Sequence, residues 1–435
     1  MNYKLHKLSN GLRVITSPIK GTQTATVLIM VATGSKFEDR KINGISHFLE
    51  HMFFKGTKKR ATAKDIANAF DSIGSENNAF TTKEYTGYWV KVGIKNLETA
   101  MEIISDMLKN SKFEVQEIER EKGVIIEELN MYQDNPIMHI DDVFEEVLYG
   151  DSPAGWEIIG TKKSIAGLSR ADFLNYVGSQ YGAENMIVSV AGNIDEKRIY
   201  RLLEKYFNGV GGAKPKGKEK VTEAQTAPKI QINYKKTDQA HLMLGVRAFA
   251  SGEKTETAER LLGIILGGSM SSRLFTELRE RRGLAYYVRA HSEFYTDSGY
   301  LAAQAGLQVE KIEESIEIIL AEFKKLTRET VKPQELKRIK DLIKGRMAIQ
   351  FESSDSIASW YGRQAIMALE KGKANGGPEY KKYVLTPAQY FKEVDKVRAG
   401  EIRDLARQIF KNKALNLAII GPYKNEAKFK KLTSF

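Results

Sequence analysis

Two of the chain's six histidines fall in the run His47-Phe48-Leu49-Glu50-His51. On a helix, residues at i and i+4 share a face, so both imidazoles can be offered to one ion. Glu50 lies three residues after His47, close to that face. It can reach a water at the ion without being a ligand. The spacing H-x-x-E-H reverses the better known H-E-x-x-H order. A catalytic zinc ion takes three protein ligands and keeps one position open. The chain has no cysteine, so the third ligand should be His, Asp or Glu. The run Val115–Tyr132 reads as a long helix and supplies Glu121 and Glu128. Seven residues is close to two turns, which puts both on one face with Ile118, Ile125 and Tyr132. Carboxylates beside an apolar stripe are costly unless they bind something. Glu128 as ligand and Glu121 as hydrogen-bond partner of a histidine would satisfy both. Glu127, about 100° further round the helix, competes on spacing alone.

The elements that must hold these groups follow from hydrophobic period. Ile45–Phe54 is predicted as a short helix carrying the histidines. Ala63–Ile73 is amphipathic, and Lys95–Asn110 has apolar spacing at Leu97, Met101, Ile104 and Leu108. Ser75–Val92 alternates at Tyr88, Val90 and Val92 and reads as strand. Asn208–Pro228 holds glycines, two prolines and a lysine cluster without hydrophobic period, as a linker does. The halves on either side echo each other. Thr24–Ser35 and Ala240–Phe249 are strand-like openings, followed in each half by amphipathic helices. Asn185–Asp195 and Leu415–Lys424 are apolar strands closed by a glycine turn. The expectation is an α+β protein of two homologous domains, each a mixed β-sheet covered by helices. Their predicted limits are 1–210 and 229–435, with a linker at 211–228.

Composition narrows the function classes. Zero cysteines exclude disulfide frameworks, cysteine zinc fingers, iron–sulfur sites and thiol nucleophiles. They also permit a reducing compartment. No run of about 18 apolar residues is present, so no membrane span is expected. The start, MNYKLHKLSNGLRVI, lacks a signal-peptide core and reads as a first strand. A cytoplasmic location is the resulting expectation. Net charge is +12, which taken alone points to nucleic acid. The charge is unevenly spread, however. Residues 1–210 hold 26 Lys+Arg against 28 Asp+Glu, and residues 211–435 hold 41 against 27. A solvated basic face in the second half explains this excess without nucleic acid. Leu266–Leu274 is glycine- and serine-rich but lacks the lysine and spacing of a phosphate loop.

The segments GISHFLEHMFFKGT, GSENNAFTTKEYTGYWVKV and EREKGVIIEELNMYQDNP resemble the pitrilysin/insulysin (inverzincin) family of zinc metallopeptidases. A short chain of two halves is similar to its mitochondrial-processing-peptidase-like branch, including bacterial homodimeric members. The likeness extends over most of the chain, through GWEIIGT, the Tyr181 and Asn185 region, and LGGSMSSRLFTELRERRGLAYYV. The resemblance implies a third ligand 77 residues after His51, at Glu128 rather than Glu127, with Glu121 as the supporting acid. It implies that Arg279 and Tyr286 add a guanidinium and a phenol that can hold a peptide carbonyl and its oxyanion. Tyr287 alternates to the other face. The strand Glu76–Thr82, with Asn78, Ala79 and Phe80, matches the family's substrate-pairing edge. Such an edge takes an extended peptide by main-chain hydrogen bonds.

The implied activity is zinc-dependent endopeptidase cleavage of unfolded peptides inside a closed chamber, with one Zn2+ per chain and Glu50 as general base. The family builds that chamber from four such domains, so a homodimer is expected. The alternative is a catalytically inactive partner subunit of a processing-peptidase-like complex. Such subunits usually lose the motif, whereas this chain keeps His47, Glu50, His51 and Glu128. Residues 101–150 carry 13 acids against 4 bases, which adds an expected preference for cationic peptides. No nucleic-acid partner is expected.

Overall fold

The computed structural model describes residues 2–212, 215–372 and 383–433. Among these, two compact units form. One comprises Met1–Leu129, Glu157–Glu219 and Met347–Tyr390; the other comprises Asn130–Trp156, Lys220–Arg346 and Phe391–Phe435.

The first unit is built on six strands: β1 (Lys4–Lys7), β2 (Arg13–Pro18), β3 (Thr24–Val31), β4 (Glu76–Thr81), β5 (Thr86–Gly93) and β6 (Met186–Gly192). Their order is β1-β2-β6-β3-β5-β4. Only β2 and β6 run parallel. The continuous apolar run of β3 suits a strand buried on both faces, and β3 is central. The second unit has β7 (Lys229–Tyr234), β8 (Gln239–Arg247), β9 (Ala285–Phe294), β10 (Gly299–Gln308) and β11 (Leu415–Gly421). Their order is β7-β11-β8-β10-β9, again with one parallel pair, β7 and β11. Apart from β1, the two sheets have the same topology. The echo between the halves is thus a repeat of fold, and the α+β architecture of two mixed sheets under helices is as expected.

The helices used below are α1 (Ile45–Met52), α2 (Ala63–Asp71), α3 (Leu97–Asn110), α4 (Val115–Asp134) and α5 (Pro136–Tyr149). The predicted stretch Ser75–Val92 is a hairpin, β4 and β5. It is broken at Thr82, whose amide donates to the carbonyl of Tyr85 (2.9 Å). Alternation alone does not reveal this short turn.

Each sheet is covered by a helix from the other half of the sequence. The helix Ser354–Glu370 lies on β2, β3 and β6. Its approach is close at Gly362, where a Cβ would come within 2.9 Å of Met30 Sδ and 3.2 Å of Leu28 Cδ2. Ser189 Oγ donates to the Ala358 carbonyl (2.8 Å), and Thr26 bonds Ser354 (2.8 Å). In the second unit α5 lies on β7, β8 and β11. There it buries Ile140, Val143, Phe144, Val147 and Leu148 with Met243, Ala418 and Ile420. The limits 1–210 and 229–435 follow the sequence repeat, while the compact units draw on both halves. Of the linker 211–228, residues 213 and 214 lie outside the described residues. Residues 215–228 form no helix or strand. Within the first unit, Lys218 Nζ pairs with Glu84 and Glu370. Among the described residues, no helix is long and apolar enough to cross a membrane.

Candidate metal centre

The chain enters α1 through Gly44, at φ +98°, a conformation L side chains rarely adopt. A Cβ there would also meet the Ile159 carbonyl oxygen at 2.5 Å. The buried Glu38 carboxylate closes the helix start. It accepts from the amides of Gly44 (2.7 Å) and Ser46 (2.9 Å) and from Asn43 Nδ2 (3.0 Å). A negative charge at this end complements the helix dipole. Burial nevertheless pushes the Glu38 carboxyl above its usual range, with those hydrogen bonds opposing. Ile45, Phe48, Leu49 and Met52 face the core, and Phe48 packs edge-on against Phe173. His47, Glu50 and His51 are left on the half-buried side.

That side meets α4. His47 Nε2 is 3.6 Å from Glu128 Oε1, and His51 Nε2 is 3.4 Å from Glu128 Oε2. One ligand atom from each of His47, His51 and Glu128 lies within 4.8 Å of the others. Zinc bonds of about 2.1 Å in a tetrahedron place ligand atoms about 3.4 Å apart, which the two histidine–Glu128 contacts approach. His51 Nδ1 is 2.9 Å from Glu121 Oε1, which orients the ring with Nε2 toward Glu128. Lys55 Nζ holds the other Glu121 oxygen at 2.6 Å. Electrostatics agree with a site made for a cation. Burial opposes charge on His51, but hydrogen bonds and charge from Glu121 and Glu128 outweigh it and push the imidazole up to about 9. Hydrogen bonds from His47 and His51 hold Glu128 well below the usual carboxylate range. Burial raises Glu121, yet His51 and Lys55 bring it below its ordinary value. Glu127 is exposed and outside this group.

Glu50 points to the sheet edge. Thr81, the last residue of β4, donates its Oγ1 proton to Glu50 Oε2 (2.7 Å). Among the described residues β4 pairs only with β5, so its other edge is open. Asn78 is exposed on this strand, Ala79 is buried, and Phe80 lies over Gly87. Lys55 and Thr81 were missed by sequence reasoning. Lys55 follows His51 by four residues, which was a usable signal. Thr81 meets Glu50 through tertiary packing, for which no local pattern exists.

Arg279 and Tyr286 belong to the second unit. Arg279 lies in a π-helical turn, Phe275–Glu280, with its guanidinium 5.8 Å above the Tyr286 ring. Tyr286 is 71% exposed on β9. Tyr287 turns inward and bonds His241 Nδ1 (3.1 Å). The structure therefore gathers the predicted residues as two groups, the triad with Glu50 and Glu121 in one unit and the Arg–Tyr pair in the other.

Comparison with known proteins gives concordant relatives. The insulinase (peptidase family M16) profile matches residues 13–162, and the peptidase M16 inactive domain profile matches residues 167–343. A Bacillus subtilis (strain 168) protein named uncharacterized zinc protease YmxG is 34% identical over 423 residues, spanning 97% of this chain and 99% of that protein. An uncharacterized zinc protease of Mycobacterium leprae is 32% identical over 96% of this chain and 91% of its own length. Among solved structures, a Helicobacter pylori protease superposes with a TM-score of 0.87 at 23% identity, covering 97% of this chain and 99% of that one. A chain of complex III2 from Candida albicans reaches 0.81 at 16% identity over the full length of both. At these identities the two structures speak to the fold alone.

Proposed function

The chain belongs to peptidase family M16, and from that premise we propose that it is a zinc-dependent endopeptidase whose metal is held by His47, His51 and Glu128. The observation that carries this is the convergence of those three side chains, with Glu121 fixing one histidine and Glu50 beside them. Curated relatives named zinc proteases at about one-third identity support the same chemistry. The inactive-domain profile begins at residue 167, after all five of these residues.

When bound, zinc supplies Lewis acidity toward a peptide carbonyl and toward water. The remaining work falls to side chains. Glu50 takes a proton from the attacking water on its carboxylate and returns it to the leaving amine. The open edge of β4 at Asn78, Ala79 and Phe80 holds an extended peptide by main-chain hydrogen bonds. Such binding makes little demand on side chains and suits unfolded peptides. Arg279 and Tyr286 steady the carbonyl oxygen, a role their adjacency and the exposure of the phenol support. We extend the reading to a homodimer of the processing-peptidase-like branch with one zinc per chain, which rests on the sequence resemblance, and to a cytoplasmic location, which rests on the cysteine-free composition and the sequence of the first strand.

The test is Glu50→Gln. Peptide hydrolysis should fall to background while zinc stays near stoichiometric by emission spectroscopy, because the ligands are untouched. Wild-type turnover by this variant would remove the assignment. The dimer is tested by mixing Glu50→Gln chains with Tyr286→Phe chains after proven subunit exchange. Recovery of activity is expected if the pair serves its partner's metal.

A further inference from the structure

We infer that Thr81 is a positioning residue that ties the general base to the strand receiving the peptide. This rests on the reading of Glu50 as base and of β4 as the peptide-pairing edge. Thr81 is the last residue of β4, immediately after Asn78-Ala79-Phe80, and its main chain is registered opposite Thr86 on β5. Its hydroxyl has two acceptors in reach, Glu50 Oε2 at 2.7 Å and the Ser46 carbonyl at 3.4 Å. A hydroxyl has one proton, and the shorter contact to a carboxylate is the stronger. The second contact shows where Thr81 sits, against the turn of α1 that precedes Glu50.

The consequence is geometric. A carboxylate on a helix face can turn about its last torsion, because terminal sp3–sp2 torsions are broad. The Thr81 bond removes that freedom at one oxygen and leaves Oε1 to receive a proton. A peptide laid along β4 takes its register from the same strand. Base and scissile bond are therefore both referenced to β4, and small errors in such placement are expensive. Loss of the hydroxyl should act on turnover and spare peptide affinity, since the main-chain edge is unchanged.

The experiment uses the full-length zinc-loaded protein and an internally quenched, unstructured peptide. Thr81→Val should lower kcat about 10- to 100-fold, the range for a hydrogen bond to a charged group, with KM changed by less than about twofold. Zinc content and the unfolding midpoint should match the unaltered protein. Thr81→Ser restores the donor and should recover most of kcat. Affinity for the same peptide, measured in the Glu50→Gln background, should be unaffected by adding Thr81→Val. An unchanged kcat in Thr81→Val would overturn the inference. So would a Thr81→Ser variant as slow as Thr81→Val, a rise in KM that accounts for the loss, or a loss of zinc. An active Glu50→Gln control would instead sink the reading of Glu50 itself, whatever Thr81 does.

Discussion

Glu121 offers a sensitive test of how the metal centre is supported. It is buried, with 3% of its side chain exposed, and both oxygens are committed, one to His51 Nδ1 at 2.9 Å and one to Lys55 Nζ at 2.6 Å. Its contact with Nδ1 keeps a proton on that nitrogen and reserves Nε2 for the metal. Glu121→Gln preserves volume and one acceptor oxygen, but it removes the charge that strengthens both contacts. The amide must also turn its oxygen to His51, which leaves its NH2 against the Lys55 ammonium, donor facing donor. Losing an outer partner of this kind weakens metal binding by about 10- to 100-fold. By linkage, the stabilisation that excess zinc confers should shrink by about 1.4 to 2.7 kcal/mol. Zinc affinity would be measured by competition with a chromophoric chelator. Thermal unfolding with and without zinc would supply the linked stability. Unaltered zinc affinity would refute the reasoning, as would a loss confined to the metal-free protein.

Three further outcomes are expected. Glu128→Gln should lose far more zinc affinity than Glu127→Gln, because only Glu128 reaches both imidazoles; equal retention in the two variants would place the ligand elsewhere. Glu259 is fully buried on the helix Glu256–Gly267, with Oε1 unpartnered, and burial pushes its carboxyl up to about 8 against the Phe249 amide bond. The folded state then keeps a proton that the unfolded chain releases above about 4.5. Stability should fall as pH rises between those values, by up to about 1.4 kcal/mol per unit. Glu259→Gln should flatten that slope in denaturant titrations, and an identical slope would contradict the assignment. Gly362→Val should destabilise the first unit by about 1–3 kcal/mol, since its Cβ alone crowds Met30 and Leu28; an unmoved unfolding midpoint would show that the helix has room.

How much of this was legible in the sequence depends on the range of the interaction. The spacing of His47, Glu50 and His51 is a property of one helix, and that of Glu121 and Glu128 of another. Period alone therefore brought each set to one face. Choosing Glu128 over Glu127 required the resemblance, because both lie within one turn of α4. The structure separates them by exposure. The bond from Thr81 to Glu50 spans 31 positions and two elements, and no local pattern encodes it. The same holds for the crossed helices. Ser354–Glu370 has the apolar content of a buried helix, but nothing in its own period says which sheet it covers. Small residues at Ser354, Ala358 and Gly362, one turn apart, were the available sign of close packing.

The repeat also separates fold from chemistry. In the first unit, the connection between β3 and β4 holds α1, with its two histidines and Glu50 on the half-buried side. In the second, the connection between β8 and β9 holds the helix Glu256–Gly267, which has no histidine and turns Glu259 into the interior. Strand order is the same on both sides of the comparison, so topology cannot be what makes a metal site. What differs is a handful of side chains and how much water reaches them. A carboxylate hydrogen-bonded to imidazoles, as Glu128 is, is held ionised, whereas Glu259 has burial and few partners and is pushed toward its neutral form. One scaffold thus gives two carboxyl groups opposite shifts. Among the described residues, the side chains able to hold a metal ion come together where the run His47-Phe48-Leu49-Glu50-His51 meets Glu128.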